Sequence, residues 1–137
     1  MALTLSTVAR TIVGQALTNA IDEGSLNPNG FIELRTGVRP TSADTPASGT
    51  VLAVINLANP AFGAFVGGKA FANETPGTDG VDASGTATWF RLYSRSGVAL
   101  FDGDVSATGG RGDLRFSIND LRMGGTIDLS TLAIEFT

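Results

Sequence analysis

The sequence predicts a mainly β fold, in which one N-terminal amphipathic helix precedes an antiparallel β-sandwich or jelly-roll-like barrel. Within residues 5–21 apolar side chains recur at intervals of three and four, which is typical of a helix with one buried face. From Phe31 onward apolar residues alternate in short runs, and turn residues separate these runs at near-regular intervals. We find no β-α-β alternation and no internal repeat, so parallel α/β folds are disfavoured.

The predicted helix runs from Leu5 to Ile21, and Thr4 or Ser6 can cap its start. Its apolar positions are Leu5, Val8, Ala9, Ile12, Val13, Ala16, Leu17, Ala20 and Ile21. Gly24 is expected to adopt a left-handed conformation just beyond its C-terminus, where two preceding acids oppose the helix dipole. Because the helix is rich in Thr and Val, we expect its stability to come from packing of the apolar stripe, either on the β domain or on a neighbouring subunit.

The helix occupies residues 1–24 and the β domain residues 30–137 of what we expect to be a single compact domain. The predicted strands are residues 31–35, 50–57, 69–73, 86–93, 98–101, 105–107, 114–118, 126–128 and 131–136. Two longer stretches, Gly37–Gly49 and Glu74–Ser84, are predicted loops, and the second has the most mobile-looking composition. In the compact turn at residues 59–63, Phe62 is expected to close one end of the sandwich.

Residues 85–103 form the one unambiguous β-hairpin of the sequence. One predicted face carries Thr86, Thr88, Phe90 and Leu92, and the other carries Ala87, Trp89, Arg91 and Tyr93. Since both faces hold large side chains, both are expected to be at least partly covered. Residues 94–97 supply the turn, and the returning strand is predicted to end at Asp102-Gly103.

Composition excludes several classes of chemistry. The chain has no Cys and no His, which removes thiolate nucleophiles, zinc-thiolate sites and His-dependent catalytic triads. Its net charge is −4 and its nine cations are scattered, so a nucleic-acid groove is disfavoured. The N-terminal segment has no basic region ahead of its apolar stretch, and Arg10 interrupts that stretch, so we expect neither a secretory signal nor a membrane span.

A low charged fraction indicates that part of the surface is covered by a partner. Charged residues are 16% of the chain, against about 25% in an average soluble domain. All cations except Lys69 are Arg, which suits packed interfaces, although biased genomic composition explains this equally well.

Two pairs of carboxylates are candidate sites. Asp102 and Asp104 lie two residues apart on one side of a strand end and could act as acid and nucleophile in a glycosidase, but a turn with a hydrogen-bonded carboxylate is the commoner use of Asp-Gly-Asp. Asp79 and Asp82 could offer oxygens to Ca²⁺, but their spacing fits no EF-hand and favours a solvated loop.

Three further motifs have simpler interpretations than a binding site. Arg111-Gly112-Asp113 spells an integrin-recognition tripeptide in a predicted turn, and we interpret it as a coincidence. Gly67-Gly68 and Gly109-Gly110 are predicted turns, because neither leads into a helix or carries a P-loop lysine. The aromatic residues Trp89, Phe90 and Tyr93 could stack on a sugar, but aromatics at strand spacing are more often core. We therefore assign no catalytic, cofactor-binding or metal-binding residue.

The order of motifs resembles a family of small structural proteins of tailed bacteriophages. The resemblance runs from about Leu3 to Phe136 and is carried by four stretches: GFIELRTGVRPTSAD, TVLAVINLANPAFGAF, SGTATWFRLYSRSGVALFDGDV and TIDLSTLAIEF. Its most particular elements are Pro60–Gly63, Thr86–Arg91 and Phe101–Val105. The resemblance implies a non-enzymatic virion component made in the host cytoplasm without an export signal.

Within the virion, the resemblance favours a capsid cement or decoration protein. Such proteins are commonly small, β-rich and homotrimeric, and they clamp neighbouring major capsid protein subunits from the capsid surface. The expected contact surfaces are the helix and the two long loops, with no cofactor, nucleic acid or membrane involved. Two other hypotheses stay open: a tail or neck adaptor or receptor- or glycan-binding module that uses Trp89 and Tyr93, and an enzyme built around Asp102 and Asp104.

Overall fold

The computed structural model describes residues 3–73, 77–111, 113–116, 119–127 and 129–135, and the predicted mainly β fold with an N-terminal helix is confirmed. The helix α1 spans Thr7–Ile21. The strands are β1 (Phe31–Arg35), β2 (Val51–Asn56), β3 (Lys69–Phe71), β4 (Gly77–Val81), β5 (Gly85–Thr86), β6 (Trp89–Tyr93), β7 (Ala99–Ala107), β8 (Leu114–Phe116), β9 (Asp120–Leu121) and β10 (Leu129–Glu135). Four residues of the predicted strands lie outside the described residues: Ser117, Ile118, Asp128 and Phe136.

Eight strands form one curled mixed sheet, a half-barrel with the order β3-β10-β8-β7-β6-β1-β2-β4, and β5 pairs with β9 in a small second sheet. Every strand pair in the described residues is antiparallel except β7 with β8. A parallel neighbour normally needs a long crossover. Here a short connection from Ala107 to Leu114 suffices, because β8 has only three residues and the chain travels back only about 10 Å.

The β6–β7 hairpin lies at the centre of this sheet. Gly97 has φ +77° in the turn, as predicted, and its N–H donates to the Ser94 carbonyl at 2.9 Å. The prediction that the returning strand ends at Asp102-Gly103 is wrong, since β7 continues to Ala107 and includes the separately predicted strand 105–107. Gly103 serves packing here: a Cβ at this position would overlap the Phe90 ring.

The prediction of a loop over residues 74–84 is wrong for Gly77–Val81, which forms β4, and residues 74–76 lie outside the described residues. This strand pairs with β2, with Ala53 opposite Val81 and Asn56 opposite Gly77, and therefore places β2 inside the sheet. Gly80 has φ +109° beside the irregularity in this pairing, which is consistent with a glycine bulge. The sequence of β4 lacks the apolar alternation by which a strand is recognised. Main-chain pairing with β2 holds this strand in the sheet instead.

Helix α1 contacts the β domain through its small and polar side. Ser6 is the N-cap and accepts from the Ala9 N–H at 3.1 Å. Gly14, Thr18 and Ile21 are its buried residues. Of these only Ile21 joins the hydrophobic core, so most of the predicted apolar stripe does not pack on the β domain.

The reason lies in the segment that follows β2. Its main-chain N–H groups need acceptors, and the helix supplies them. Phe65 N–H donates to Gln15 Oε1 at 3.2 Å, and Gly68 N–H donates to Thr11 Oγ1 at 3.2 Å. The Phe65 ring also lies against Gly14, where any Cβ would overlap it.

The hydrophobic core lies on one face of the curled sheet and takes alternate residues from its strands. Ile32, Leu34, Phe90 and Leu92 are among its fully or nearly fully buried members. Phe62 is buried in the same cluster, as predicted. Among the described residues no helix has both the length and the apolar character that a membrane crossing requires.

Candidate functional site

A cluster of charged and aromatic side chains lies on the central strands, on the face opposite the hydrophobic core. Its members are Glu33 and Arg35 from β1, Trp89, Arg91 and Tyr93 from β6, and Asp102 from β7, which we call the arginine cluster. The register places Glu33, Arg91 and Asp102 directly opposite one another across three adjacent strands. Opposite charges in one cross-strand row attract each other, so this row favours the observed register.

Arg91 and Asp102 form a buried bidentate ion pair. Nε of Arg91 lies 2.6 Å from Asp102 Oδ1, and Nη2 lies 2.9 Å from Oδ2. The two side chains are only 4% and 6% exposed. The hydrogen bond to Asp102 raises the pKa of Arg91 despite burial. The candidate catalytic carboxylate Asp102 is therefore held by a permanent cation.

Trp89 lies between two guanidinium groups. The carbon at the centre of each guanidinium is close to its ring centroid, at 5.8 Å for Arg35 and 5.5 Å for Arg91. Its indole N–H donates to the Thr36 carbonyl at 3.0 Å, and the side chain is fully buried. The interpretation of Trp89 as a packed residue, rather than a sugar-stacking surface, is confirmed.

The other two predicted aromatics are also packed. Phe90 is buried in the hydrophobic core on the opposite face. Tyr93 is half-buried and stacks on Phe31 with 4.9 Å between ring centroids. Burial, followed by a hydrogen bond to Glu33, raises the pKa of the Tyr93 hydroxyl.

The predicted loop Gly37–Gly49 covers the arginine cluster and is fastened to it. Nη1 of Arg91 donates to the Thr45 carbonyl at 2.8 Å. On the other side of the loop, Nη1 of Arg35 lies 3.4 Å from the Ser48 carbonyl, and Thr88 Oγ1 donates to the Gly37 carbonyl at 2.7 Å. Main-chain carbonyls of the loop are thus satisfied by side-chain donors of β1, β6 and Thr88, which hold the loop in place without regular secondary structure.

Asp104 has a different environment from Asp102. It is exposed, and its carboxylate Oδ1 lies 3.4 Å from Nε of Arg39 in the 37–49 loop. Its main-chain N–H donates to Asp113 Oδ2 at 3.0 Å. Asp102 and Asp104 share a strand face, as predicted, but each carboxylate contacts its own arginine. The arrangement favours the structural interpretation of this pair over the glycosidase interpretation.

An open cleft of about 560 Å³ lies between the 37–49 loop and β7. Its lining includes Arg39, Thr41, Ser42, Asp44, Leu100 and Asp102. This surface is mainly polar and presents both signs of charge, so it can form hydrogen bonds with a polar partner. Of its two carboxylates, that of Asp102 is already paired with Arg91.

The two double-glycine motifs lie in turns. Gly67 and Gly68 have φ +63° and +81° in a two-residue turn whose ends exchange hydrogen bonds between Val66 and Lys69, as predicted. The turn at Gly109-Gly110 is also confirmed, by the Gly110 N–H bond to the Ala107 carbonyl at 3.0 Å.

The Ca²⁺ and tripeptide motifs lie partly outside the described residues. Asp82 is exposed, whereas the Asp79 side chain is not among those described. Arg111 is exposed, and the Asp113 carboxylate accepts a hydrogen bond from the main-chain N–H of Asp104. Gly112 lies outside the described residues. No group of three Asp, Glu, His or Cys residues that could hold a metal ion occurs in the described part of the chain.

Sequence reasoning missed the arginine cluster. The available signal was the alternation of Glu33 with Arg35 on one strand and of Arg91 between two aromatics on another. It could not identify the partner of Arg91, because register between strands cannot be read from one sequence. Comparison with known proteins adds no relative: no family model, no curated protein and no solved structure matches this chain.

Proposed function

We propose that this chain is a non-enzymatic structural protein of a tailed-phage virion: a capsid cement protein that binds the outer capsid surface and bridges neighbouring major capsid protein subunits. The observation that carries the proposal is the outward side of α1. Val8, Ile12 and Val13 are 70%, 64% and 45% exposed there, while the polar side of the helix faces the β domain. A contiguous exposed apolar surface of this kind indicates a protein partner, and a bridging protein needs contacts both with the capsid and between its own copies.

The 37–49 loop supplies a second surface suited to a large partner. It presents Val38, which is 85% exposed, on a segment that Arg91 and Arg35 hold in place. A loop that is already ordered loses little conformational entropy when it binds. This loop is therefore our proposed contact with the capsid.

The closed arginine cluster supports binding rather than catalysis. Its carboxylate Asp102 is paired, its aromatic Trp89 is buried, and Arg91 and Arg35 each donate to a carbonyl of the 37–49 loop. These groups stabilise the fold, so the surfaces left for function are the helix, the loop and the polar cleft beside the loop.

The mechanism is linkage between binding and capsid stability. A protein that binds the assembled capsid across two neighbouring subunits, and binds separated subunits less well, raises the free energy needed to separate them. Bridging requires more than one contact per cement unit, and several weak contacts on one body give strong overall retention. A homotrimer would provide three identical contacts.

The test is the copy number and position of the chain in purified virions, by quantitative mass spectrometry and cryo-electron microscopy. Hundreds of copies on the capsid lattice are expected, and particles depleted of the chain should release their genome at a lower temperature. Val38→Asp should reduce retention on particles, whereas the matched control Met123→Asp, at a residue that is also exposed, should not. Absence from the capsid, or a few copies at the tail, would contradict the proposal.

The open polar cleft favours one second candidate, a tail or neck adaptor or receptor- or glycan-binding module. Its lining offers Arg39, Asp44 and Thr41 to hydroxyl groups of a glycan. Glycan-array binding that is lost in Arg39→Ala, together with low copy number at the tail, would favour this candidate.

A further inference from the structure

We propose that the uncovered side of α1 binds other copies of this chain, helix against helix. This surface, which we call the outer helix face, consists of Val8, Ile12, Val13 and Ala16 of the helix, together with Leu5 just before its N-cap Ser6. The inference rests on the proposed function in one respect, which is that this face is a binding surface. It adds that the partner is another copy of the chain. It assigns the capsid contact elsewhere on the molecule.

The outer helix face points directly away from the β domain. At about 100° per residue, its four helical positions fall within an arc of about 140°, and Gly14 and Thr18 lie on the opposite side of the helix. Gly14 and Thr18 are buried, whereas all five outer positions are exposed. The helix therefore has no partner for this face within the described part of its own chain.

The spacing of the exposed residues suits another helix. Leu5, Val8 and Ile12 follow one another at intervals of three and four, and Val13 is followed by Ala16 three residues later. Side chains at these intervals line one side of a helix and can interdigitate with the same pattern on a second helix. In the described residues α1 is the only helix, so a second copy of the chain is the simplest source of the matching pattern.

The charge of the outer helix face suits association with an identical face. Arg10 is the only charged residue in α1, and its guanidinium turns back to donate to the Leu5 carbonyl and Thr7 Oγ1, each at 3.0 Å. In a symmetric interface each surface meets its own copy, so a charge on the face would meet a like charge. A face without charge avoids this cost, and it offers nothing specific to an anionic lipid or a nucleic acid.

The area available is near the lower limit for a specific interface. Given the exposed fractions of its residues, the outer helix face contributes on the order of 400 Å² of apolar surface per copy, which is within the usual range for a functional patch. Two such faces bury about 800 Å² of apolar surface in total, which places the contact at the small end of specific interfaces. We therefore expect association at micromolar rather than nanomolar concentrations.

The first experiment measures the mass of the purified full chain by sedimentation equilibrium from about 1 to 300 μM, a range chosen for a contact of this size. The wild-type chain should associate, and Ile12→Glu should stay monomeric with unchanged circular dichroism, since Ile12 is exposed and makes no core contact. Val98→Glu is the matched control, because Val98 is 56% exposed in the β6–β7 turn, and it should associate like the wild type. A wild-type monomer throughout this range, or association that survives Ile12→Glu, would overturn the inference.

The second experiment uses the absence of cysteine from the chain. Ala16→Cys introduces a single thiol on the outer helix face, and Ser96→Cys introduces one in the exposed hairpin turn as a control. Under mild oxidation at equal concentration, the Ala16→Cys chain should form disulfide-linked dimers at least tenfold faster than the Ser96→Cys chain. Equal rates for the two variants would contradict helix-to-helix contact.

Capsid binding separates this inference from the proposed function. If the chain associates through α1 but is absent from the capsid, the cement proposal fails and the inference stands. If the wild-type chain is monomeric and Ile12→Glu loses capsid binding, the outer helix face contacts the capsid instead, and the inference fails while the cement proposal stands.

Discussion

The β6–β7 hairpin and helix α1 use their two faces in opposite ways. The hairpin buries both faces, one as hydrophobic core around Phe90 and the other as the arginine cluster around Arg91. The helix buries only one face, and that face is its small and polar side around Gly14 and Thr18. Three of its large apolar side chains, Val8, Ile12 and Val13, lie outside.

This difference shows that hydrophobicity alone does not decide which face of an element is buried. Arg91 is buried because Asp102 and the 37–49 loop satisfy its donors. Ile12 is exposed because the segment below α1 needs hydrogen-bond acceptors and space for the Phe65 ring, which Gln15 and Gly14 supply. In both elements the contacting groups determine which side chains are buried. A substitution that removes such a contact should therefore change the free energy of unfolding more than a substitution that changes only the hydrophobicity of an exposed side chain.

The largest expected effect comes from removing the cation of the hairpin's polar face. Arg91→Met leaves the Asp102 carboxylate buried without a partner and should cost about 3–5 kcal/mol of unfolding free energy. Chemical denaturation followed by Trp89 fluorescence measures this cost. The double variant Arg91→Met, Asp102→Leu should recover most of it, because no charge is then left buried.

An exposed ion pair serves as the control for Arg91. Arg39→Met removes the partner of exposed Asp104 and should cost less than about 1 kcal/mol. Equal costs at Arg91 and Arg39 would show that burial of the Arg91–Asp102 pair does not matter for stability.

The helix should respond to a change on its buried side and not on its outer side. Gly14→Ala places a Cβ into the Phe65 ring and should destabilise by about 1–2 kcal/mol, even though Ala is the better helix former. Val13→Ala, one residue away on the outer helix face, should change stability by less than about 0.5 kcal/mol. Both are measured by urea denaturation in the Ile12→Glu background so that self-association does not contribute; a stabilising Gly14→Ala would contradict the packing of α1.

Alkaline pH tests how well the arginine cluster is closed. Burial raises the pKa of Tyr93 in the folded state, so the stability that its neutral form provides is complete below about pH 10 and is lost as the pH rises toward the raised value. Near neutral pH, Tyr93→Phe should lower the free energy of unfolding by about 1 kcal/mol, because the substitution removes the hydrogen bond to Glu33. The stability of the wild type should approach that of the variant above pH 10; a constant difference in denaturation midpoint would refute this.

The smallest effect is expected where α1 ends. Burial raises the pKa of Asp22, even though its carboxylate accepts the Ala61 N–H at 3.0 Å. The associated stability is present below about pH 4 and is lost as the pH rises through the raised folded value. The charged form also opposes the helix dipole.

Asp22→Asn keeps the oxygen acceptor and removes the charge, so it should stabilise the fold by about 0.5 kcal/mol at pH 7. The gain should disappear below about pH 4. Thermal unfolding at both pH values measures it, and Glu23→Gln, at the exposed neighbouring position, is the control. A less stable Asp22→Asn at pH 7 would contradict the assigned cause.

Much of the fold could be predicted, because local signals were strong where strands alternate and turns contain glycine. The bounds of β1, the turn at Gly97 and the fully buried β6 side chains follow from such signals. β4 could not be predicted, because main-chain pairing with β2 forms it and its side chains show no period. The continuation of β7 through Gly103 was hidden because glycine usually marks a turn, and here it makes room for Phe90.

The sequence by itself determined the class of the fold, the place of the helix, the central hairpin and the absence of His and Cys chemistry, because periodicity and composition are properties of the chain alone. Only the tertiary structure decided that Arg91 pairs with Asp102 under the 37–49 loop, and that α1 turns its apolar side outward. Both depend on which distant segments meet, and strand register together with competition for hydrogen-bond partners settles that question.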